Sequence, residues 1–246
     1  MKSATTVYDE HVRFYVDFVD RGLADKTDIR HVLLERFESI LGERLVGARV
    51  CDIACGEGYL SRFLGRRGPA EVVGVDKSTE LVGIAQQRSD GANLQFRVDD
   101  ACRLATFDDG STDIAVSQLA IMDIEDHRAL FRSVHRVLRA GGAFVFSLLH
   151  PCFEGPFRLP DEPQFQVDAD GGQVAVLVRR YASEGFWRSG GSGVRGHMGA
   201  YHRTLSTLIN DLLAAGLTLE RIDEPIVTGG GLAAQVPRTM LIAARR

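Results

Sequence analysis

The stretch Val50-Cys51-Asp52-Ile53-Ala54-Cys55-Gly56-Glu57-Gly58-Tyr59-Leu60 is an apolar run of strand character that enters a glycine turn and opens a helix. Such a turn brings bare backbone N–H groups to the positive end of a helix, where an anionic or polar ligand group can approach them. Asp76 follows Gly56 by twenty positions and stands at the tip of the next apolar run, VVGVDKS. A carboxylate there takes the two hydroxyls of a ribose, so the pair of features implies a nucleoside cofactor.

Outward from this turn, strand and helix signals alternate, which predicts a parallel sheet wrapped by helices. The strands are expected at Arg49–Ile53, Glu71–Val75, Leu94–Val98, Asp113–Gln118 and Ala143–Leu149, each rich in Val, Ile or Phe. Between them Tyr59–Arg67, Thr79–Ser89 and Asp126–Leu138 read as crossover helices, with apolar residues recurring at three and four, as in Leu130, Val134 and Val137. Gly141–Gly142 is expected to end the last of these helices and turn the chain into its strand. Residues 7–46 carry two or three helices and no strand. After the sheet come a strand-like run Val174–Tyr181, the tract SGGSGVRGHMG (residues 189–199), read as a mobile insertion, a helix near Ser206–Ala215, and strands Thr218–Ile222 and Thr239–Ala244. The chain thus divides into a helical lid (1–46), a cofactor-binding core (47–150), a substrate-covering insertion (151–204) and a C-terminal completion of the sheet (205–246).

A glycine turn with a downstream acid also suits NAD, and two residues argue against that reading. Ser61 occupies the place of the third glycine of the dinucleotide pattern, and Asp52 would turn a negative charge toward a pyrophosphate. A cofactor with an ammonium and a sulfonium and no phosphate suits Asp52 instead. DIACGEGYL resembles the first motif of the class I S-adenosylmethionine-dependent methyltransferases. The resemblance continues through VVGVDKS, Val98–Ala101 (VDDA), 113–126 (DIAVSQLAIMDIED) and 138–151 (LRAGGAFVFSLLHP), covers about residues 7–150, and holds more loosely at the end.

The resemblance implies an α/β, Rossmann-like fold: a seven-stranded, mostly parallel sheet with helices on both faces, an antiparallel last strand and an N-terminal helical lid. It also implies S-adenosyl-L-methionine as cofactor. Gly56 and Gly58 would line the methionine moiety, Asp52 would hold its amino group directly or through water, and Asp76 would bind ribose. Asp100 would accept from the adenine amino group, Ala101 would offer its N–H to the ring, and Cys102 would lie beside it. Ser117 and Gln118 would pass near the sulfonium. Ala54, Cys55, Tyr59 and Lys77 complete the cofactor set. Tyr15, which follows Tyr8 in the pattern YDxxxxxY, resembles the tyrosine that reaches the cofactor from the first helices. The structural alternatives are that Asp52 and Asp76 cap the following turn and helix, and that Asp100 sits on a solvated loop.

His150 ends the fifth strand at the carboxyl edge of the sheet, where open α/β folds keep their chemistry, and is the first candidate for a general base. His202, in Tyr201-His202-Arg203, is the second; a histidine bonded to its own loop is the alternative for His150. His127 and His135 lie among arginines and read as a solvated helix face. Phe153, Phe157, Phe165, Phe186 and Trp187 are available to line an apolar acceptor pocket.

A net charge of −4 without a dense Lys/Arg run argues against a nucleic-acid partner, as does SQLA where base-amine methyltransferases carry an NPPY-type motif. No segment reads as a membrane span or signal peptide, and the four cysteines have neither disulfide nor zinc spacing. The expectation is a cytoplasmic enzyme without a metal, transferring methyl to the O, N or C nucleophile of a small-molecule acceptor; assembly as a homo-oligomer is open. The alternatives are an NAD-linked oxidoreductase and a catalytically silent cofactor-binding protein.

Overall fold

The computed structural model describes residues 6–154, 156, 162–227 and 231–246; Phe157 lies outside them. In chain order the elements are α1 (Val7–Glu10), α2 (Val12–Ala24), α3 (Ile29–Leu41), β1 (Arg49–Ile53), α4 (Tyr59–Gly65), β2 (Glu71–Asp76), α5 (Thr79–Gln87), β3 (Leu94–Val98), β4 (Thr112–Gln118), α6 (His127–Val137) and β5 (Leu138–Leu149). They continue as β6 (Phe165–Val167), β7 (Gln173–Val176), β8 (Gly185–Trp187), α7 (Val194–His197), β9 (Ala200–His202), α8 (Leu205–Ala214), β10 (Thr218–Asp223) and β11 (Thr239–Arg245).

One seven-stranded sheet has the order β3-β2-β1-β4-β5-β11-β10. Its ladders are parallel except where β11 meets β5 and β10, so β11 alone is reversed. The order turns back at β1/β4, the place where such sheets leave a crevice at their carboxyl ends.

Strand alternation sends side chains into two buried layers. Cys51, Ile53, Phe144, Phe146, Met240 and Ile242 face α6 and α8, where Phe131 closes a cluster of three phenylalanines. Val50, Ile114, Val145 and Leu241 face the other way, onto Leu33 and Phe37 of α3 and Leu60 and Leu64 of α4. Burying each large side chain contributes about 2–3 kcal/mol, so both faces of the sheet must be covered.

Side-chain caps start the helices where the sequence has them: Asp28 accepts from Arg30 N–H, Ser78 from Leu81, Asp126 from Ala129 and Thr204 from Thr207. Two expectations are corrected, and the glycine tract is found to hold local structure. The helix before β5 ends at Leu138, whose extended backbone starts the strand, so Gly141 (φ +73°) lies within β5, where its N–H bonds the Arg246 carbonyl. His127 is buried rather than solvated, its Nε2 2.7 Å from Asp211 of α8. The glycine tract carries α7, and two of its glycines serve close approach: a Cβ on Gly196 would lie 1.6 Å from the Gly191 carbonyl oxygen and one on Gly199 2.3 Å from the Phe186 ring.

Candidate functional site

A cavity of about 450 Å³ opens over the carboxyl ends of β1, β2 and β4. The glycine turn forms its floor. Cys55 N–H donates to the Val75 carbonyl and Gly58 N–H to that of Cys55, and the turn holds Ala54 at φ +54°, a left-handed conformation costly for a residue with a Cβ. Asp76 staples this turn to the tip of β2: Gly56 N–H donates to one of its carboxylate oxygens at 2.9 Å and Ser78 N–H to the other at 2.8 Å. Each oxygen keeps a lone pair for a second donor, and Asp76 lines the cavity. Burial outweighs these hydrogen bonds and raises its carboxyl above the ordinary range.

Asp100 faces the cavity from the loop after β3, accepting from Cys102 N–H and pairing with Lys77 at 3.2 Å. Burial opposes its charge, but these two donors prevail and hold its carboxyl below the usual range. Ala101 and Cys102 complete this wall; burial pushes the Cys102 thiol up to about 11, so it stays protonated and unreactive near neutrality.

Tyr15 of α2 reaches the floor, its hydroxyl 3.3 Å from where a Cβ on Gly56 would stand. Burial raises the phenol well above its ordinary value and makes it a neutral donor. Gln118, at the end of β4, is 9% exposed and lines the cavity, and neither of its amide atoms meets a partner among the described residues. A buried amide of this kind is completed by a bound polar group. Leu119 follows it at φ +54°.

Asp52, Cys55, Gly58, Tyr59 and Ser117 do not line this cavity. Alternation along β1 puts Asp52 on the α4 side, where Ser61 Oγ–H donates to it at 2.5 Å and burial pushes its carboxyl up to about 7. Cys55 and Gly58 lie beneath the turn, against Val82, Ala85 and Phe96, and Tyr59 packs toward the α3 layer. Ser117 is wholly buried, and its hydroxyl meets no partner among the described residues.

His150 and His202 line a separate recess of about 30 Å³. The His150 ring is engaged at both nitrogens: Nε2 lies 2.8 Å from Glu224, and Nδ1 accepts from Cys152 N–H. His202 Nε2 lies 2.8 Å from the Tyr181 carbonyl, and burial lowers the imidazole below its ordinary value, so it is neutral near pH 7. Tyr201 lines both spaces. Of the aromatics proposed for a pocket, Trp187 lines the recess and Phe186 packs on Tyr201, while Phe153 lies on His150 and Phe165 beneath Arg238.

The resemblance takes in the stretch 113–126 but gives roles there only to Ser117 and Gln118, whereas the wall continues from Leu119 to Asp126, with Asp123, Ile124 and Glu125 facing the cavity. Nor does the resemblance indicate Thr6, Val7 and Leu81. Tertiary contacts bring these last three in, and no local pattern marks them. Arg203 holds the 119–126 wall from behind, donating to the Ile124 carbonyl at 2.6 Å and that of Glu125 at 2.7 Å.

Neutral thiols, paired acceptors on Asp76, an acidic lining and an open Gln118 amide fit a nucleoside with a cationic amino-acid tail. They offer no pyrophosphate cradle, which sets aside the NAD alternative. Among the described residues no group of three or more His, Cys, Asp or Glu side chains is placed to hold a metal ion, and no helix is long and apolar enough to cross a membrane.

Residues 51–146 match the family model described as a methyltransferase domain. A crystal structure of an S-adenosylmethionine-dependent methyltransferase from Mesorhizobium loti superposes with a TM-score of 0.73 at 29% identity, covering 86% of this chain and 96% of that one. An uncharacterized protein of Haemophilus influenzae is 26% identical over 92% of this chain and 89% of its own length. A ubiquinone biosynthesis O-methyltransferase from Xanthomonas euvesicatoria is 34% identical over 43% of this chain, which spans only 45% of that relative. Sheet order, the glycine turn with its staple to Asp76, and these likenesses agree: the fold is that of the class I S-adenosylmethionine-dependent methyltransferases, and residues 51–146 carry its methyltransferase domain.

Proposed function

We propose that the acceptor is a small molecule, bound in the 450 Å³ cavity beside the cofactor. The carrying observation is the charge of the lining. Asp76, Asp99, Asp100, Asp123, Glu125 and Asp126 face the space against Lys77 alone, which is already paired with Asp100, so a phosphate backbone finds no counter-charge there. The aliphatic and aromatic remainder, Val7, Leu81, Leu119, Ile124 and Tyr201, suits a compact, partly apolar acceptor. The ubiquinone-pathway relative acts in the synthesis of a small molecule, in keeping with this reading.

In this reading Asp76 binds the ribose and Asp100 and the Ala101 N–H take the adenine. Tyr15, Gly56 and Gln118 hold the amino-acid end. Asp52, set behind the turn, shapes the floor with Ser61. When bound, S-adenosylmethionine supplies a methyl group on a positively charged sulfonium, already activated for in-line displacement. The protein then has to orient the nucleophile and exclude water, which effective molarities of about 10⁵ M or more make a sufficient task. His150, engaged at both ring nitrogens, and His202, bonded through Nε2 to the Tyr181 carbonyl, serve in this reading as supports of the wall behind Tyr201.

The test is a screen of phenols, amines, thiols and short RNA with a tritiated methyl donor. Label in small acceptors, with none in RNA, is expected; transfer confined to a macromolecule would refute the reading. His150→Ala is expected to lower stability more than turnover on the acceptor so found.

A further inference from the structure

The segment that looked most mobile in the sequence sends one side chain to the cavity wall. Arg195, on α7 of the glycine tract, donates through Nη1 to an Asp123 carboxylate oxygen and, at 2.7 Å, to the Gly199 carbonyl. Tyr8 Oη–H of α1 donates to the other Asp123 oxygen at 2.9 Å. Asp123 and Tyr8 line the cavity, whereas Arg195 stands behind them with its side chain 18% exposed. Next to Arg195, His197 packs between His11 and Phe14, with ring centres 5.0 and 4.4 Å apart.

The next residue of α1 is tied to the opposite wall. Ser78 Oγ–H donates to Asp9 at 2.5 Å, and Glu80 N–H donates to the same oxygen at 3.3 Å. Thr6 and Asp9 close α1 with a reciprocal capping box. This single-turn helix therefore bridges the cavity, anchored through Asp9 beyond β2 and through Tyr8 beyond β4. Thr6, Val7 and Tyr8 form its underside.

We propose that Arg195 is a positioning residue that latches α1 over the cofactor: acting through Asp123 and Tyr8, it keeps the bridge closed, and the cofactor enters and leaves when this three-residue contact opens. The contact joins three segments remote in sequence, at 8, 123 and 195, and is their only shared ionic centre among the described contacts. The bridge touches the cofactor's space while Arg195 does not, so its loss changes access more than the contacts that set affinity. The cofactor assignment suffices for this inference, which stands apart from the nature of the acceptor.

Exchange of S-adenosylhomocysteine, followed by surface plasmon resonance on the immobilised full chain, tests it. Tyr8→Phe deletes one oxygen and keeps the ring; Arg195→Ala removes the anchor; Arg195→Lys restores the charge without the second contact to Gly199. A hydrogen bond to a charged group is strong enough that Tyr8→Phe and Arg195→Ala are each expected to raise association and dissociation rates together, by about tenfold, with Kd moving about threefold or less. Arg195→Lys is expected to fall between Arg195→Ala and the parent. Rates within twofold of the parent for both Tyr8→Phe and Arg195→Ala would overturn the latch. So would a weaker Kd carried wholly by dissociation, which marks a lost contact and leaves access unchanged.

Discussion

Asp52, buried, and Asp76, half-buried, are acids beside one glycine turn, yet they do different work because of where their strands point them. Asp76 keeps open acceptor positions on the cavity, and Asp76→Ala is expected to weaken S-adenosylhomocysteine binding about 10- to 100-fold by calorimetry, the loss of hydrogen bonds to an ionised group. Asp52 faces α4, and burial, partly relieved by Ser61, lifts its carboxyl from an ordinary 3.8 to about 7. Its folded-state affinity for the proton is raised, so between about pH 4 and 7 the native chain holds a proton that the unfolded chain has released, and stability falls as pH rises through that window. Asp52→Asn keeps an acceptor for Ser61 and removes this titration. The variant should exceed the parent in urea stability at pH 8, by on the order of 2–4 kcal/mol, and lose most of that advantage at pH 4.5. An equal difference at both pH values would show that Asp52 does not titrate as its burial requires. The motif found both acids; the orientation of Asp52 follows from strand period two, since Val50 and Asp52 must share a face.

At the scale of elements, the five core strands were legible because each is a run of β-branched and aromatic residues between turn residues, and the helices because their caps and apolar spacing are local. β6, β8 and β9, three residues each, carry no periodicity to read. The early start of β5 at Leu138 depends on pairing with Thr112 across the sheet, which a local pattern does not contain. Glycines show the same division between local and tertiary control. Gly83, inside α5, has open space where a Cβ would go, and Gly83→Ala is expected to stabilise the chain by about 1 kcal/mol through helix propensity alone. Gly58 sits at φ +85° as the N-cap of α4, and an added Cβ would come within 2.7 Å of the Phe96 ring. Gly58→Ala is therefore expected to cost about 2–4 kcal/mol, from left-handed strain and overlap together. Urea midpoints of the two variants on opposite sides of the parent would bear out both assignments; a neutral Gly58→Ala would mean that Phe96 yields freely.

For the whole molecule, the half of the site that binds the nucleoside and the helical character of the 7–46 segment were readable, whereas the contacts that fasten that segment were not, because they join residues tens of positions apart by charge and carry no motif. The clearest case is Glu57, the residue between the two glycines of the turn. Its side chain is fully buried, and one carboxylate oxygen accepts from Arg62 at 2.7 Å and Arg88 at 2.8 Å. Arg88 also holds Asp20 of α2, at 2.8 Å, so a single guanidinium joins the cofactor turn to the helix that carries Tyr15. Removing one partner of a buried pair leaves an uncompensated charge, and Arg88→Met is expected to cost about 2–4 kcal/mol even with Arg62 still in place. Glu57→Gln relieves that charge, so the double variant should be more stable than the sum of the single losses predicts, by at least about 1 kcal/mol. Hydrogen exchange in α2 should quicken in Arg88→Met while the central strands stay protected, since the sheet keeps its two apolar layers. Additive losses, or exchange that quickens in strands and α2 alike, would mean that Arg88 supports the fold at large and that the lid is held by its apolar face.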